Sequence, residues 1–364
     1  MAAAESPLDE PFLVPGEDEE QRGSGGTDDV ANMEAQLLLH QDTGASFWRS
    51  CLNLSNVISG VGLLSVPYAL AQGGWLSLAL FAVVGAVCYY TGELIARCMR
   101  AGGGGDAVRS YPDIGQLAFG RPGRKAIGAV MYAELYLVAI SFLILEGDNL
   151  DKLLPGTAVG LPGDYVLRGK QLFRLVAAVV ILPTTWLRDL SVLAYGRRAR
   201  RVLLASSVLC SLNYGLTAVL GYMIYGDDVK SLVTLSLPSG KVYTRIAILT
   251  TLITPLAKYA LVIQPITTGI EEKLSSSRGS LARAAISTAV LVSTVVAACT
   301  VPFFGYLMSF IGSSLNVTVA VLFPCLSYLR IGGVRRAEAA GIVAILVVGV
   351  CVAVLGTYTS LHQI

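Results

Sequence analysis

The stretch Ser50–Gln72, SCLNLSNVISGVGLLSVPYALAQ, decides how the rest of the chain is read. A helix needs about 20 mostly apolar residues to cross a bilayer, and this stretch is long and apolar enough. Its middle does not suit a plain anchor. Ser59-Gly60-Val61-Gly62 puts two glycines near mid-membrane depth, with Asn53, Ser55, Asn56 and Ser65 around them. A helix interrupted there exposes backbone N–H and C=O groups that hydrocarbon cannot satisfy, so the break must line a polar cavity. The alternative is an unbroken Gly-rich helix packed closely on a neighbour. The residues alone leave both readings open.

Composition sets the class. The 364-residue chain is 54% hydrophobic and 14% charged, against about 25% charged in soluble domains, and its mean hydropathy is +0.64. This predicts an all-α polytopic membrane protein. Nine apolar spans are expected, at 48–71, 74–98, 126–146, 171–190, 202–225, 244–266, 284–302, 305–329 and 339–360. Two regions follow: an acidic tail over 1–46 and a transmembrane domain over 47–364. The tail mixes Asp, Glu, Pro and Gly with a single Arg22, a composition expected to be disordered and cytosolic. It lacks a basic segment followed by a short apolar run, so no cleavable signal peptide is expected. Within it, Glu34-Ala35-Gln36-Leu37-Leu38-Leu39 fits an acidic dileucine pattern, with Glu34, Leu38 and Leu39 the residues a sorting adaptor would read.

Lys and Arg orient the spans, because cytosolic loops carry their excess. With the N-terminus inside, clusters such as Arg121, Arg124 and Lys125, or Arg197, Arg198, Arg200 and Arg201, fall on the cytosolic side. The opposite loops hold Lys152, Arg168, Lys170, Lys230, Lys241 and Arg245. The basic residues sit in separate short loops, which gives a nucleic-acid role no support. The seven cysteines show no CxxC spacing, and the two histidines lie near opposite ends of the chain. Neither a metal site nor a disulfide framework is expected. No HExxH, GxSxG or suitable acidic pair suggests an enzyme, and no cofactor is expected.

Several strings carry a resemblance: SGVGLLSVPYALAQGGW at 59–75, RSYPDIGQLAFG at 109–120, ELYLVAISFLILEGDNLDKLLP at 134–155 and LPTTWLRDLSVLAY at 182–195. AVLGYMIYGDDVKSLVTLSLP at 218–238, TPLAKYALVIQPI at 254–266 and VPFFGYLMSFIGSSL at 301–315 continue it. From residue 46 onward the chain resembles the vacuolar amino-acid transporter group of the amino acid/auxin permease family, relatives of the vesicular GABA and glycine transporters. The resemblance implies a LeuT-type inverted-repeat bundle and proton-linked movement of neutral amino acids across the vacuolar membrane. Such proteins usually have eleven spans. Here Gly196-Arg197-Arg198-Ala199-Arg200-Arg201 runs directly into what resembles the seventh family span, so the fifth and sixth are missing and the bundle is incomplete. In that fold the first and sixth spans are broken helices facing each other around the substrate. The chain is therefore either a truncated form of a transporter, lacking internal sequence, or a relative that has lost transport and serves a regulatory role.

The candidate substrate site is the first-span break: Ser55, Asn56, Ser59, Gly60, Val61 and Gly62. The glycines would act through their backbone and the polar side chains would line the cavity. Ionisable residues inside spans point to function or to internal pairs. Glu134 is a candidate proton carrier or a structural hydrogen-bonding group. Glu93 lies one turn from Arg97, an i,i+4 arrangement that suits an interfacial pair. Glu146 and Asp148 are expected to be solvated at a span end. Lys258 lies midway along its span, with Thr254 a turn before it. Through the resemblance, its ammonium would take the place of a metal cation beside the break. Pairing with a carboxylate or snorkelling is the alternative.

Overall fold

A computed structural model of the protein describes residues 47–101, 111–160, 166–186, 199–238, 240–273, 280–300, 304–332 and 334–362. The acidic tail with Glu34, Leu38 and Leu39, the junction around Gly196-Arg197 and residues 301–303 lie outside these residues.

The break in the first span is present. Helix α1 (Phe47–Ile58) stops at Ser59, and Gly60 is extended at φ −81° and ψ −169°. The chain resumes as a short 3-10 helix, Val61–Ser65, and then as α2 (Val66–Gly73). Pro67 stands in the first turn of α2, where its missing N–H is no loss. Close packing does not account for the glycines. A side chain at Gly60 would meet nothing within 4 Å, and one at Gly62 only the Tyr214 hydroxyl at 4.0 Å. Of the two readings, the structure has the broken helix.

Among the described residues, seven helical stretches are long and apolar enough to cross a membrane: Leu76–Ala101, Tyr111–Leu153, Arg201–Asp228, Val242–Glu271, Ala282–Thr300, Phe304–Ile331 and Arg336–Ser360. The other two of the nine expected spans are helical but shorter. The first is divided into α1 and α2, of 12 and 8 residues. The fourth is described as α5 (Gly169–Thr185), 17 residues long.

Helix α3 is Leu76–Ala101, and α4 is Tyr111–Leu153 with a bend at Gly120, whose φ of +71° breaks the helix. Only the part after this bend corresponds to the expected span at 126–146, and it continues to Leu153. A small antiparallel hairpin, β1 (Ala158–Gly160) with β2 (Val166–Arg168), precedes α5 and departs from the all-helical expectation. Helix α6 (Ala199–Tyr225) leads through a short α7 (Val233–Ser236) to α8 (Val242–Lys273), which holds both Pro255 and Pro265. Helices α9 (Ser280–Thr300), α10 (Phe304–Phe310), α11 (Phe323–Ile331) and α12 (Arg336–His362) complete the bundle. Two π-helical segments, Ile311–Asn316 and Thr318–Leu322, join α10 to α11.

The helices form two groups. The larger core is built by α4, α5, α8 and α9, around Leu143, Ile144, Leu145, Ile181, Tyr259 and Ile263. The Tyr259 hydroxyl shares a 2.5 Å hydrogen bond with Thr294 there. In the second group α1 and α2 pack on α6, with α3 alongside; Val66, Leu70 and Ala218 are its buried centre. The ends of α3 and α12 meet through Glu93, Arg97 and Glu338, with Tyr328 of α11 beside Arg97. Arg97 is 3.7 Å from Glu93 and 2.8 Å from Glu338. The i,i+4 pair expected from sequence is thus one limb of a network that ties α3 to α12.

The contact of α2 with α6 depends on Gly221. A Cβ there would stand 2.5 Å from Cγ and 2.6 Å from Cβ of Pro67, a ring that cannot move aside. Gly221→Ala is predicted to lower stability by about 1–3 kcal/mol through overpacking, read as a lower thermal unfolding midpoint in detergent. Gly215→Ala on the same helix, where a Cβ meets nothing within 4 Å, should match or exceed the parent, since Ala is the better helix former by about 1 kcal/mol.

Candidate functional site

The break leaves backbone carbonyls without helical partners, and the structure shows what takes them. Lys258 Nζ donates to the carbonyl of Asn56 at 2.7 Å and to that of Ser59 at 3.4 Å. Residue 258 lies near the middle of its membrane-length helix, so the break is at mid-depth. Among the described residues the ammonium meets carbonyl oxygens and no carboxylate. Neither the carboxylate partner nor the snorkelling position considered from sequence is present. A cation held by the carbonyls of an unwound helix is also what a bound metal ion would provide at such a place.

Helix α6 faces the break with a stripe of polar residues at helical spacing. Ser206 Oγ donates to the Cys51 carbonyl at 3.1 Å, and Cys210 Sγ lies 3.6 Å from the Ser55 carbonyl and 3.7 Å from Ser59 Oγ. The Tyr214 hydroxyl lies beside the break, 4.0 Å from where a Cβ at Gly62 would stand. Between α1 and α6 lies a cavity of about 450 Å³ lined by Ser55, Asn56, Ser59, Cys210 and Asn213 within a rim of leucines. Ser55 is buried, and its hydroxyl has no hydrogen-bond partner.

The structure therefore brings Ser55, Asn56, Ser59, Gly60, Gly62 and Lys258 together. Val61 contributes backbone to the 3-10 helix. Thr254 is exposed on α8 and does not hydrogen-bond to the break, while Thr250 and Thr251 bond to carbonyls of their own helix. Glu134 is half-buried on α4 and already engaged in an interaction. Sequence reasoning missed Cys210, Asn213 and Tyr214. The signal was present: Ser206, Cys210 and Asn213 recur at i, i+4 and i+7, one face of a helix.

A second polar cluster corrects an expectation. Glu146 and Asp148 are not solvated but buried, at 1% and 6% exposure. The end of α4 is covered by α5, whose Arg174 is 3% exposed. Arg174 Nη1 donates to the Ala298 carbonyl of α9 at 2.6 Å, and Nη2 lies 3.6 Å from Asp148. Lys170 reaches the same carboxylate at 3.1 Å. Gly147 makes this possible, since a Cβ there would stand 2.6 Å from Arg174 Cγ. Asn149 accepts from Thr234 at 2.7 Å, and Lys152 donates to the Thr234 carbonyl at 2.9 Å, which pins α7 to α4. Helices α4, α5, α7 and α9 are thus locked at one end by buried polar contacts.

The sequence profile of the family described as transmembrane amino acid transporter protein matches residues 43–196 and 197–362. The chain belongs to this family. It is 38% identical to the amino acid transporter AVT1I of Arabidopsis thaliana, over 88% of this chain and 95% of that protein. It is 36% identical to AVT1J, over 88% and 91%, and 33% identical to AVT1B, over 91% and 74%, both from the same plant. As a member of the transmembrane amino acid transporter family it is a multi-pass membrane protein and not an enzyme. The family has a LeuT-like fold, and an amino acid is its implied substrate. The family match is divided between Gly196 and Arg197. The AVT1I alignment spans 390 positions, more than the 364 residues of this chain, so some of its positions have no counterpart here.

In this transporter family member the Asp148–Arg174 pair is buried: removing Asp148 strands the Arg174 charge, at a cost of about 3–5 kcal/mol, while removing Arg174 leaves Asp148 its Lys170 contact but takes the donor from the Ala298 carbonyl. Arg174→Met and Asp148→Asn are each predicted to lower the unfolding midpoint in detergent markedly. The double variant Arg174→Met/Asp148→Leu should lie closer to the parent than the sum of the single effects, as contacting residues do. Additive losses would show that the pair is not coupled.

Proposed function

We propose that the chain is a secondary active transporter of neutral amino acids, proton-linked, in the vacuolar membrane with its N-terminus cytosolic. It would form nine spans of an incomplete LeuT-type inverted-repeat bundle, the first of them broken at the substrate site. The observation that carries the reading is Lys258 on the carbonyls of Asn56 and Ser59. A fixed ammonium occupies the position a coupling cation would use, which favours protons over a metal ion as the coupled species. The substrate would be a small zwitterion. Unwound N–H groups at Gly60 to Gly62 would take its carboxylate, and Ser55, Asn56 and Ser59 would line the pocket around it. Glu134 and Glu146, both on α4, are the carboxyls available to carry the proton; Glu146 has one oxygen without a partner. The vacuolar address rests on the resemblance and on the dileucine pattern at Glu34, Leu38 and Leu39.

One observation favours a second reading, a form that does not transport by itself. The family match divides between Gly196 and Arg197, where two spans of the resemblance, including the helix facing the break, would stand. Uptake of labelled neutral amino acids into proteoliposomes holding the 364-residue chain, with and without an imposed pH gradient, separates the readings. Gradient-driven uptake is the expected result. Folded protein without uptake overturns the first reading in favour of the second.

Lys258→Met removes the charged-donor hydrogen bond to the Asn56 carbonyl, worth about 1.5–3 kcal/mol. Uptake at saturating gradient should therefore fall about 10- to 100-fold. An unchanged rate and pH dependence in this variant would remove Lys258 from the coupling machinery.

A further inference from the structure

The cavity between α1 and α6 is open on its outer side. Leu212 and Leu216 of α6 are 65% and 60% exposed, and Leu52 of α1 is 57% exposed. Exposed leucines on a membrane protein are ordinary lipid contacts. The groups between them are not. Asn56 and Asn213 are exposed, Ser55 is buried with an unpartnered hydroxyl, and all three line the same cavity. Asn213 lies near the middle of the membrane-length stretch Arg201–Asp228. Lipid tails offer no hydrogen bonds at that depth, so such groups face protein or water.

The chain itself indicates what is absent. Helix α6 begins at Ala199, directly after the point between Gly196 and Arg197 where the family match divides. A segment inserted there would be contiguous with α6 and within reach of its uncovered face. The cavity, at about 450 Å³, admits several side chains rather than a whole helix, whose diameter is about 10–12 Å. Its occupant therefore lies along the groove and projects side chains into it.

We infer that this groove is a docking surface for a transmembrane helix supplied by a second polypeptide of the same family, with hydrogen-bonding side chains at the depth of Asn213. The helix takes the place of the two spans that, by the resemblance, are missing where the family match divides between Gly196 and Arg197. The inference rests on the family assignment and the divided match, and not on transport by the chain alone.

The test co-expresses the full chain with the segment of AVT1I that falls between the positions aligned with Gly196 and Arg197, each carrying its own tag. Recovery of the segment with the chain is expected. A photoreactive residue in place of Leu212 should crosslink to it, and one in place of Val348, which is 62% exposed on α12, should not. Asn213→Leu keeps the apolar surface and is predicted to lower recovery about 3- to 10-fold, the loss of one interhelical hydrogen bond, while Asn213→Gln restores part of it. Crosslinking of position 212 only to lipid, or to a second copy of this chain, overturns the proposal. So does failure to recover the segment, or equal recovery with the parent and with Asn213→Leu. Because the readout is association, absence of amino acid uptake would not bear on it.

Discussion

The structure depends on one constraint, the satisfaction of backbone polar groups at mid-membrane depth. The first span gives up its helix at Ser59-Gly60, and two of the freed carbonyls are taken by the Lys258 ammonium from α8. A lysine in the middle of an apolar helix is costly unless hydrogen-bonded, and an unwound carbonyl is costly unless it accepts. Each resolves the other's cost. The contact also joins the two helix groups, because α1 belongs with α2 and α6, and Lys258 with the core of α4, α5 and α8. The break is therefore a joint as well as a cavity wall.

The second group is held together lightly by comparison. Its buried residues fall in two small clusters, Val66, Leu70 and Ala218 between α2 and α6 and Cys51, Leu54 and Val202 between α1 and α6, and the close approach at Gly221 sets the spacing of α2 and α6. The larger group has a continuous apolar core and is locked at one end by Arg174, Asp148 and Asn149. The polar cavity lies on the side of this second group, between α1 and α6. The same asymmetry explains why the polar groups Asn56 and Asn213 face outward: the element nearest the divided family match is the one without cover.

Much of this was legible in the sequence. Two glycines within a polar patch marked the break, and the mid-span position of Lys258 marked an ammonium in need of acceptors. The i,i+4 spacing of Glu93 and Arg97 gave their pair. Less legible were features made by residues distant in the chain. Glu146 and Asp148 stand near a loop and were expected to be wet; only α5 folding over the end of α4, with Arg174 passing Gly147, buries them. Thr254 lies one turn before Lys258 on α8, the i,i+4 spacing that shares a helix face, yet it is exposed, so spacing along one helix did not reveal which of the two reaches the break.

Taken alone, the sequence determined the class and the family to which the strings belong, and it narrowed the first span to two readings, a broken helix or a closely packed one. Hydropathy and backbone hydrogen-bonding needs act along the chain, so they can be read along it. The tertiary structure decided which acceptors Lys258 meets, which face of α6 lines the cavity, and which charges are buried in pairs. Those outcomes depend on distances between helices far apart in sequence, and only packing sets such distances.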